Sequence, residues 1–232
     1  MAITSLDLTR MPKQIRGVLF DMDGLVLDTE KLYTRFWQEA AQAMGYPMTR
    51  QQALGMRSLN RSAGQAYLQA CFGPGICYAE VRAERIRRMD AFVATEGVQT
   101  KPGIFQLLDY LQANGIATAI TTSSPVERTR SYLSHVGLES RFDRLCSGYE
   151  VPKGKPEPDI YLHGAAVLGL KPEECLALED SPAGILSAYR AGCACVLIPD
   201  QDQADEATRS RLFAQADSLS DIIELIQQIK NQ

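Results

Sequence analysis

The stretch Asp21–Glu30, DMDGLVLDTE, follows the apolar run Val18-Leu19-Phe20 and ends a short strand on two carboxylates, Asp21 and Asp23, with Gly24 directly behind them. A carboxylate buried unpaired inside a sheet carries a large desolvation penalty, so the pair must sit at an open strand end, facing a cation or a reacting group. In a parallel sheet that end is where ligands bind. If the chain stays extended through Asp23, Met22 points away and both acids share one side. On these residues alone, a turn closed by an Asx hydrogen bond fits equally well.

The chain beyond residue 98 supplies the sheet. Ile104, Leu107, Leu108 and Leu111 form a helical stripe ending at Gly115, Ile116 to Thr121 reads as a strand, and Ser124 to Gly137 as the next helix. Ser124 as N-cap, Pro125 at the first helical position and Glu127 three residues after the cap predict a capping box. A strand around Leu145 and Cys146, a helix from about Pro158 to Gly169, a strand Cys175 to Leu178, a helix Pro182 to Gly192 and a strand Cys195 to Ile198 continue the alternation. With Val18 to Phe20 this makes five strands. The fold class is therefore α/β, a Rossmann-like doubly wound parallel sheet with right-handed crossovers. Asp200 to Gln232, polar and then helical, is expected to pack on the sheet.

Residues 30–97 break that rhythm with helical periodicity only. Leu32, Phe36, Ala40 and Ala43 lie on one face of a helix closed by Gly45 and Pro47; Ser58 can cap a second helix that ends at Cys71 to Gly75; a third runs from about Tyr78 to Thr95. An all-helical insertion after the first strand predicts a cap domain, 30–97, on a core made of 1–29 and 98–232. Its hinges fall near Asp28 to Glu30 and Gly97 to Pro102.

Composition narrows the partners. A chain of 232 residues, 45% hydrophobic, is long enough for one full core and an accessory unit, and a net charge of -4 argues against nucleic acid or an anionic membrane as the main partner. The cluster Arg82, Arg85, Arg87 and Arg88 is interleaved with Glu80 and Glu84, as on a solvated helix face. The six cysteines show no zinc-type spacing with His135 and His163, and most lie in apolar runs, so reduced core thiols are expected. The N-terminus lacks an apolar signal segment, and no stretch approaches the roughly 18 apolar residues of a membrane span. The sequence thus reads as a cytoplasmic protein, expected as a monomer.

Three more strand ends carry chemistry. Thr121 to Ser124 offers hydroxyls and N–H groups beside the positive end of a helix dipole, an anion-binding corner. Lys153-Gly154-Lys155-Pro156 fixes a cation in a loop stiffened by Pro156 and Pro158, with either lysine available. Leu176 to Leu178 runs into Glu179-Asp180-Ser181, a second acidic strand end suited to a hard divalent cation. Singly these are a helix cap, a surface lysine and a solvated turn; together they supply carboxylates, hydroxyl, lysine and carboxylates in chain order.

The four motifs, DMDGLVLDTE at 21–30, Thr122 in AITTSS, Lys155 in GKPEPD and Glu179-Asp180 in LALEDSPAG, closely resemble the haloacid dehalogenase superfamily of phosphohydrolases, within it the β-phosphoglucomutase-like subgroup with a helical cap. DMDGLVLDTEKLY is also similar to pseudouridine-5'-phosphatases and related sugar-phosphate phosphatases. The resemblance implies a Mg²⁺-dependent phosphatase acting on a small phosphorylated metabolite. Asp21 would be the nucleophile that forms an aspartyl-phosphate, and Asp23 the acid and then the base. Mg²⁺ would be held by the Asp21 carboxylate, the Asp23 carbonyl and Asp180, with Glu179 acting directly or through water. Thr122, Ser123 and Lys155 would bind the phosphoryl oxygens, and the KPxPD pattern favours Lys155 over Lys153. Asp23 points to phosphate chemistry, because a dehalogenase proper needs no acid two residues after its nucleophile.

The cap is expected to choose the substrate, with Glu30, Tyr33, Arg57, Ser58, Asn60 and Arg61 as candidates beside the reading of plain helix surface. Phosphomutases of the subgroup carry a histidine after the first motif and a lysine and an arginine flanking the cap-loop glycine. The matching positions here are Tyr33, Leu54 and Ser58, which favours a phosphatase over the alternative of a sugar phosphomutase. A non-catalytic phosphate-binding regulatory module is the other alternative, and the presence of both Asp21 and Asp23 weighs against it.

Overall fold

The computed structural model describes residues 3–10, 12, 14–57, 59, 61–200 and 204–230. The chain divides into two compact units, 1–28 with 99–232, and 29–98.

The first unit is built on a seven-stranded sheet. Its strands are β1 (Ile3–Leu6), β2 (Gly17–Phe20), β3 (Ala117–Thr122), β4 (Arg144–Ser147), β5 (Cys175–Glu179), β6 (Ala194–Leu197) and β7 (Ala214–Ala216), in spatial order β1-β7-β6-β5-β2-β3-β4. Six run parallel, and β1 pairs antiparallel with β7. The five strands read from periodicity are all present; β1 and β7 are additional, and three-residue β7 is too short to show a period in sequence. Val18, Leu19 and Phe20 are completely buried because β2 lies in the middle of the sheet. Phe20 is in register with Ile120 on one side and Leu178 on the other. The three central strands therefore end level. Asp21, Thr122 and Glu179-Asp180 emerge at one edge, at the point where strand order reverses.

The second unit holds four helices, α1 (Glu30–Ala43), α2 (Arg50–Leu54), α3 (Arg61–Phe72) and α4 (Tyr78–Glu96). The buried face of α1 is Thr34, Phe36, Trp37, Ala40 and Ala41, so the expected stripe is rotated: Leu32 is half-buried and Ala43 is exposed. Trp37 draws the face round, since its ring packs on Tyr78 in a core with Met48, Leu68 and Val81. Helix α2 opens on a capping box of the T-x-x-Q pattern, which the reading of the insertion passed over: Thr49 Oγ1 accepts the Gln52 N–H, and Gln52 Oε1 accepts the Thr49 N–H. The expected Ser58 cap lies outside the described residues.

Arg85 departs from the solvated face expected of its cluster. Arg87 and Arg88 both pair with Glu84, at 2.6 and 2.7 Å, as surface ion pairs. Arg85 is only 5% exposed, its guanidinium lies 4.5 Å from the Tyr33 ring centroid and 5.4 Å from that of Trp37, and its Nε has no hydrogen-bond partner among the described residues. It belongs to the buried stripe Tyr78, Val81, Arg85, Met89 and Val93, where cation–π contact replaces ion pairing. Arg85→Ala is expected to lower the unfolding free energy by about 2 kcal/mol or more. Arg85→Met, keeping the length and removing the charge, should stay within about 1 kcal/mol of the parent by urea unfolding.

Back in the first unit, α5 (Ile104–Ala113), α6 (Val126–His135), α7 (Asp159–Val167), α8 (Pro182–Ala191), α9 (Glu206–Arg209) and α10 (Asp221–Lys230) follow the strands. The segments joining the units run side by side, with the Asp28 N–H bonded to the Gln99 carbonyl and the Lys101 N–H to that of Val26. All six cysteines are free thiols; burial holds Cys146 up at about 11 and Cys175 and Cys195 at about 12, so none of these three is a thiolate near neutral pH.

Candidate active site

Strand β2 ends at Phe20, and the chain runs on through Met22 to Asp23 before it turns. Gly24, at φ +88°, turns it back, with the Gly24 N–H bonded to the Leu27 carbonyl and the Val26 and Leu27 N–H groups both bonded to that of Met22. Met22, Leu25, Val26 and Leu27 are buried by this loop. The two acids consequently meet different partners. Asp21 Oδ1 lies 2.5 Å from Lys155 Nζ, while Asp23 Oδ2 accepts the Ser124 hydroxyl at 3.1 Å.

Of the two lysines, Lys155 reaches the acids and Lys153 is exposed. Lys155 Nζ is also 2.5 Å from Glu179 Oε1. Glu179 is fully buried and further held by the hydroxyls of Tyr161 and Ser181. A buried carboxylate needs this many donors. Its space is provided by Gly184, where a Cβ would fall 1.9 Å from Glu179 Cδ. In an open helix a glycine-to-alanine change gains about 1 kcal/mol; here the overlap dominates, and Gly184→Ala should instead cost about 1–3 kcal/mol, read as a lowered melting temperature.

Asp21, Glu179 and Asp180 each offer a carboxylate oxygen, all within 4.8 Å of one another. One ammonium cannot neutralise three buried carboxylates, and an all-oxygen donor set suits a hard cation such as Mg²⁺. The Asp23 side chain is not in this set. Burial is the main reason that the Asp21 carboxyl is pushed up from 3.8 to about 8; Lys155 opposes this, and Glu179 and Asp23 add to it. For Lys155, burial alone would lower the ammonium, but Asp21 and Glu179 outweigh it and hold the proton on more firmly. Burial and then Glu179 raise the Tyr161 phenol far above its ordinary value, so it remains a donor.

At the end of β3, the Thr121 hydroxyl turns inward to the Phe20 carbonyl, and Thr122, buried at the last position of the strand, alternates with it. Thr122 Oγ1 accepts the Ser124 N–H at 3.1 Å, leaving its own proton to donate. Ser123 is exposed beside it. Ser124 is not the N-cap of α6: the cap is Pro125, without a side-chain bond, because the Ser124 hydroxyl is turned to Asp23. Tyr161 and Gly184 beside these acids were missed by sequence reasoning, which named Ser124 and Ser181 at their strand ends without their contacts to Asp23 and Glu179. Tyr161 had a signal, since a tyrosine on the buried stripe of α7 with Ile160, Gly164 and Ala165 needs a hydroxyl partner.

Of the candidates in the helical unit, Glu30 and Arg57 form an ion pair at 2.7 Å and Tyr33 stacks on Arg85. Arg61 is exposed at the start of α3; Ser58 and Asn60 lie outside the described residues. A cavity of about 670 Å³ lies at the other end of the sheet, lined by Arg10, Glu174, Tyr189, Cys193 and Arg211. None of the clustered acids lines it.

A family model for haloacid dehalogenase-like hydrolases matches residues 15–192. Hexitol phosphatase A of Escherichia coli (strain K12) is 35% identical over 187 residues, covering 79% of this chain and 82% of that protein. A probable pseudouridine-5'-phosphatase of Drosophila melanogaster is 33% identical over 207 residues, 84% of this chain and 87% of the relative. The crystal structure of CbbY from Rhodobacter sphaeroides in complex with phosphate aligns with a TM-score of 0.75 at 26% identity, covering 90% of this chain and 96% of that one. The family match takes in all four motifs, those of Asp21, Thr122, Lys155 and Asp180, and the chain belongs to the haloacid dehalogenase-like hydrolases.

Proposed function

We propose that the protein is a Mg²⁺-dependent phosphatase that hydrolyses a small phosphate monoester, a sugar phosphate or a related metabolite, through an aspartyl-phosphate on Asp21. The observation that carries this reading is the separation of the two acids: Asp21 is paired with Lys155 while Asp23 is held by Ser124. Two carboxyl groups in different surroundings can take different protonation roles.

Asp21 attacks phosphorus in line, and the bond to the leaving oxygen breaks as Asp23 gives that oxygen its proton. Asp23, now a carboxylate, takes a proton from water, which attacks the aspartyl-phosphate, releases inorganic phosphate and regenerates Asp21. Lys155 holds Asp21 in place, and its charge lets a carboxylate approach an anionic phosphate. Thr122 Oγ1 and the N–H groups around Ser123 bind the equatorial oxygens. Asp21, Asp180 and the Asp23 carbonyl would hold Mg²⁺, which would supply charge neutralisation at the phosphoryl group. Glu179 has Lys155, Tyr161 and Ser181 as partners, which supports a role through water rather than as a direct ligand.

Units 1–28 with 99–232 are proposed as the phosphotransferase core and 29–98 as the cap that selects the substrate. A cytoplasmic monomer without nucleic-acid or membrane partners completes the reading, in keeping with the net charge of -4. Among the described residues no helix is long and apolar enough to cross a membrane. Tyr33, where the mutases carry histidine, stacks on Arg85 and offers no imidazole, which favours hydrolysis over phosphoryl relay.

Phosphate release from a panel of hexitol phosphates, other sugar phosphates and nucleoside-derived sugar phosphates tests this. Steady release with Mg²⁺ and none with Asp21→Asn is expected. Activity only with a bisphosphate primer would make it a mutase, and silence across the panel would leave a binding module.

A further inference from the structure

We infer that Ser124 is a positioning residue for Asp23, fixing the carboxyl group that exchanges protons with the leaving oxygen. This rests on the phosphatase reading above. Ser124 is 7% exposed and anchored at three atoms: its N–H donates to Thr122 Oγ1 at 3.1 Å, its carbonyl accepts the Ser147 hydroxyl at 2.7 Å, and its own hydroxyl donates to Asp23 Oδ2 at 3.1 Å. Pro125 restricts the backbone of the residue before it, so the direction of the hydroxyl is set from both sides. Thr122 and Ser147 close adjacent strands, β3 and β4, which ties the aim of Asp23 to the rigid sheet edge.

The consequence is chemical. When Asp23 transfers its proton to the leaving oxygen as the P–O bond breaks, a carboxylate forms on Asp23, and the Ser124 O–H donates to it at that moment. The Ser124 bond fixes one oxygen of the carboxyl group. Without the hydroxyl, the acid keeps its chemistry and loses this restraint on its orientation.

Ser124→Ala removes only this bond, because the two backbone anchors remain. The readout is kcat/KM, which reports steps up to P–O cleavage, for an alkyl phosphate that needs a proton on its leaving oxygen and for 4-nitrophenyl phosphate, which does not. The alkyl value is expected to fall about tenfold and the alkyl-to-aryl ratio at least about fivefold, a fraction of the 10²–10⁴ that general acid catalysis supplies. Ser124→Cys, of similar volume but a weak donor, should behave as alanine does. Equal losses on both substrates, no loss, or full activity of Ser124→Cys would overturn the assignment. Wild-type protein that fails to turn over either phosphate would instead overturn the phosphatase reading, and this inference with it.

Discussion

Asp21→Asn is expected to lower kcat by about 10⁴-fold or more and, in metal-free buffer at pH 8, to raise the melting temperature. The loss arises because an amide oxygen cannot displace an alkoxide to form a stable phosphoryl ester. The gain is electrostatic: Asp21, Glu179 and Asp180 crowd three carboxylates around one ammonium, and removing one relieves repulsion that a bound cation would otherwise neutralise. A relief of about 1–2 kcal/mol corresponds to roughly 2–8 °C for a chain of this size. The pH dependence has a definite sign. With its carboxyl pushed from 3.8 to about 8, folded Asp21 keeps a proton that the unfolded chain releases, so the metal-free protein loses stability as pH rises from about 4 to 8. Asp21→Asn should flatten that slope. So should Mg²⁺, which at a hundredfold excess over its Kd adds about 2.7 kcal/mol. Thermal melts across this pH range, with chelator and with Mg²⁺, check all three; a parent protein whose metal-free stability climbs between pH 4 and 8 would show that Asp21 is not held protonated by its surroundings.

Lys155→Met carries the second large effect, and here activity and stability fall together. Its ammonium is the shared partner of Asp21 and of fully buried Glu179, and removing it strands both. Breaking a buried pair from one side costs about 3–5 kcal/mol, so the melting temperature should drop by about 10 °C. Turnover should fall about 10²–10³-fold with the loss of a fixed positive group at the phosphoryl site. The double variant Lys155→Met/Glu179→Gln should recover part of the stability and none of the activity, because the buried charge is gone while the cation is still missing. If Lys155→Met melts with the parent, the ammonium is not what stabilises these carboxylates.

The strand ends were legible because an acid at the end of an apolar run has nowhere to hide. Asp21, Glu179 and Asp180 declared a shared edge, and the registers of Phe20 with Ile120 and Leu178 place them there. Ser124 was illegible for the opposite reason. Ser-Pro-Val-Glu reads locally as a helix cap, and nothing nearby tells that the hydroxyl turns to an acid 101 residues earlier. Arg85 misled by its charge, although its spacing with Val81 and Met89 marked the buried stripe of α4. The pair β1 and β7 left no period to read, since a three-residue strand gains its definition from its neighbours. The candidates in the helical unit were the least legible, as Glu30 with Arg57 and Tyr33 with Arg85 are partnerships between distant parts of the chain that no local pattern encodes.

In the proposed reaction the phosphoryl group passes through Asp21. Borohydride added during turnover of a small phosphate monoester reduces an acyl phosphate, and peptide mass spectrometry then locates the reduced residue. Homoserine is expected at position 21, dependent on substrate and lost when Mg²⁺ is chelated. Continued turnover with residue 21 unmodified, or reduction at Asp23, Glu179 or Asp180 instead, would contradict it.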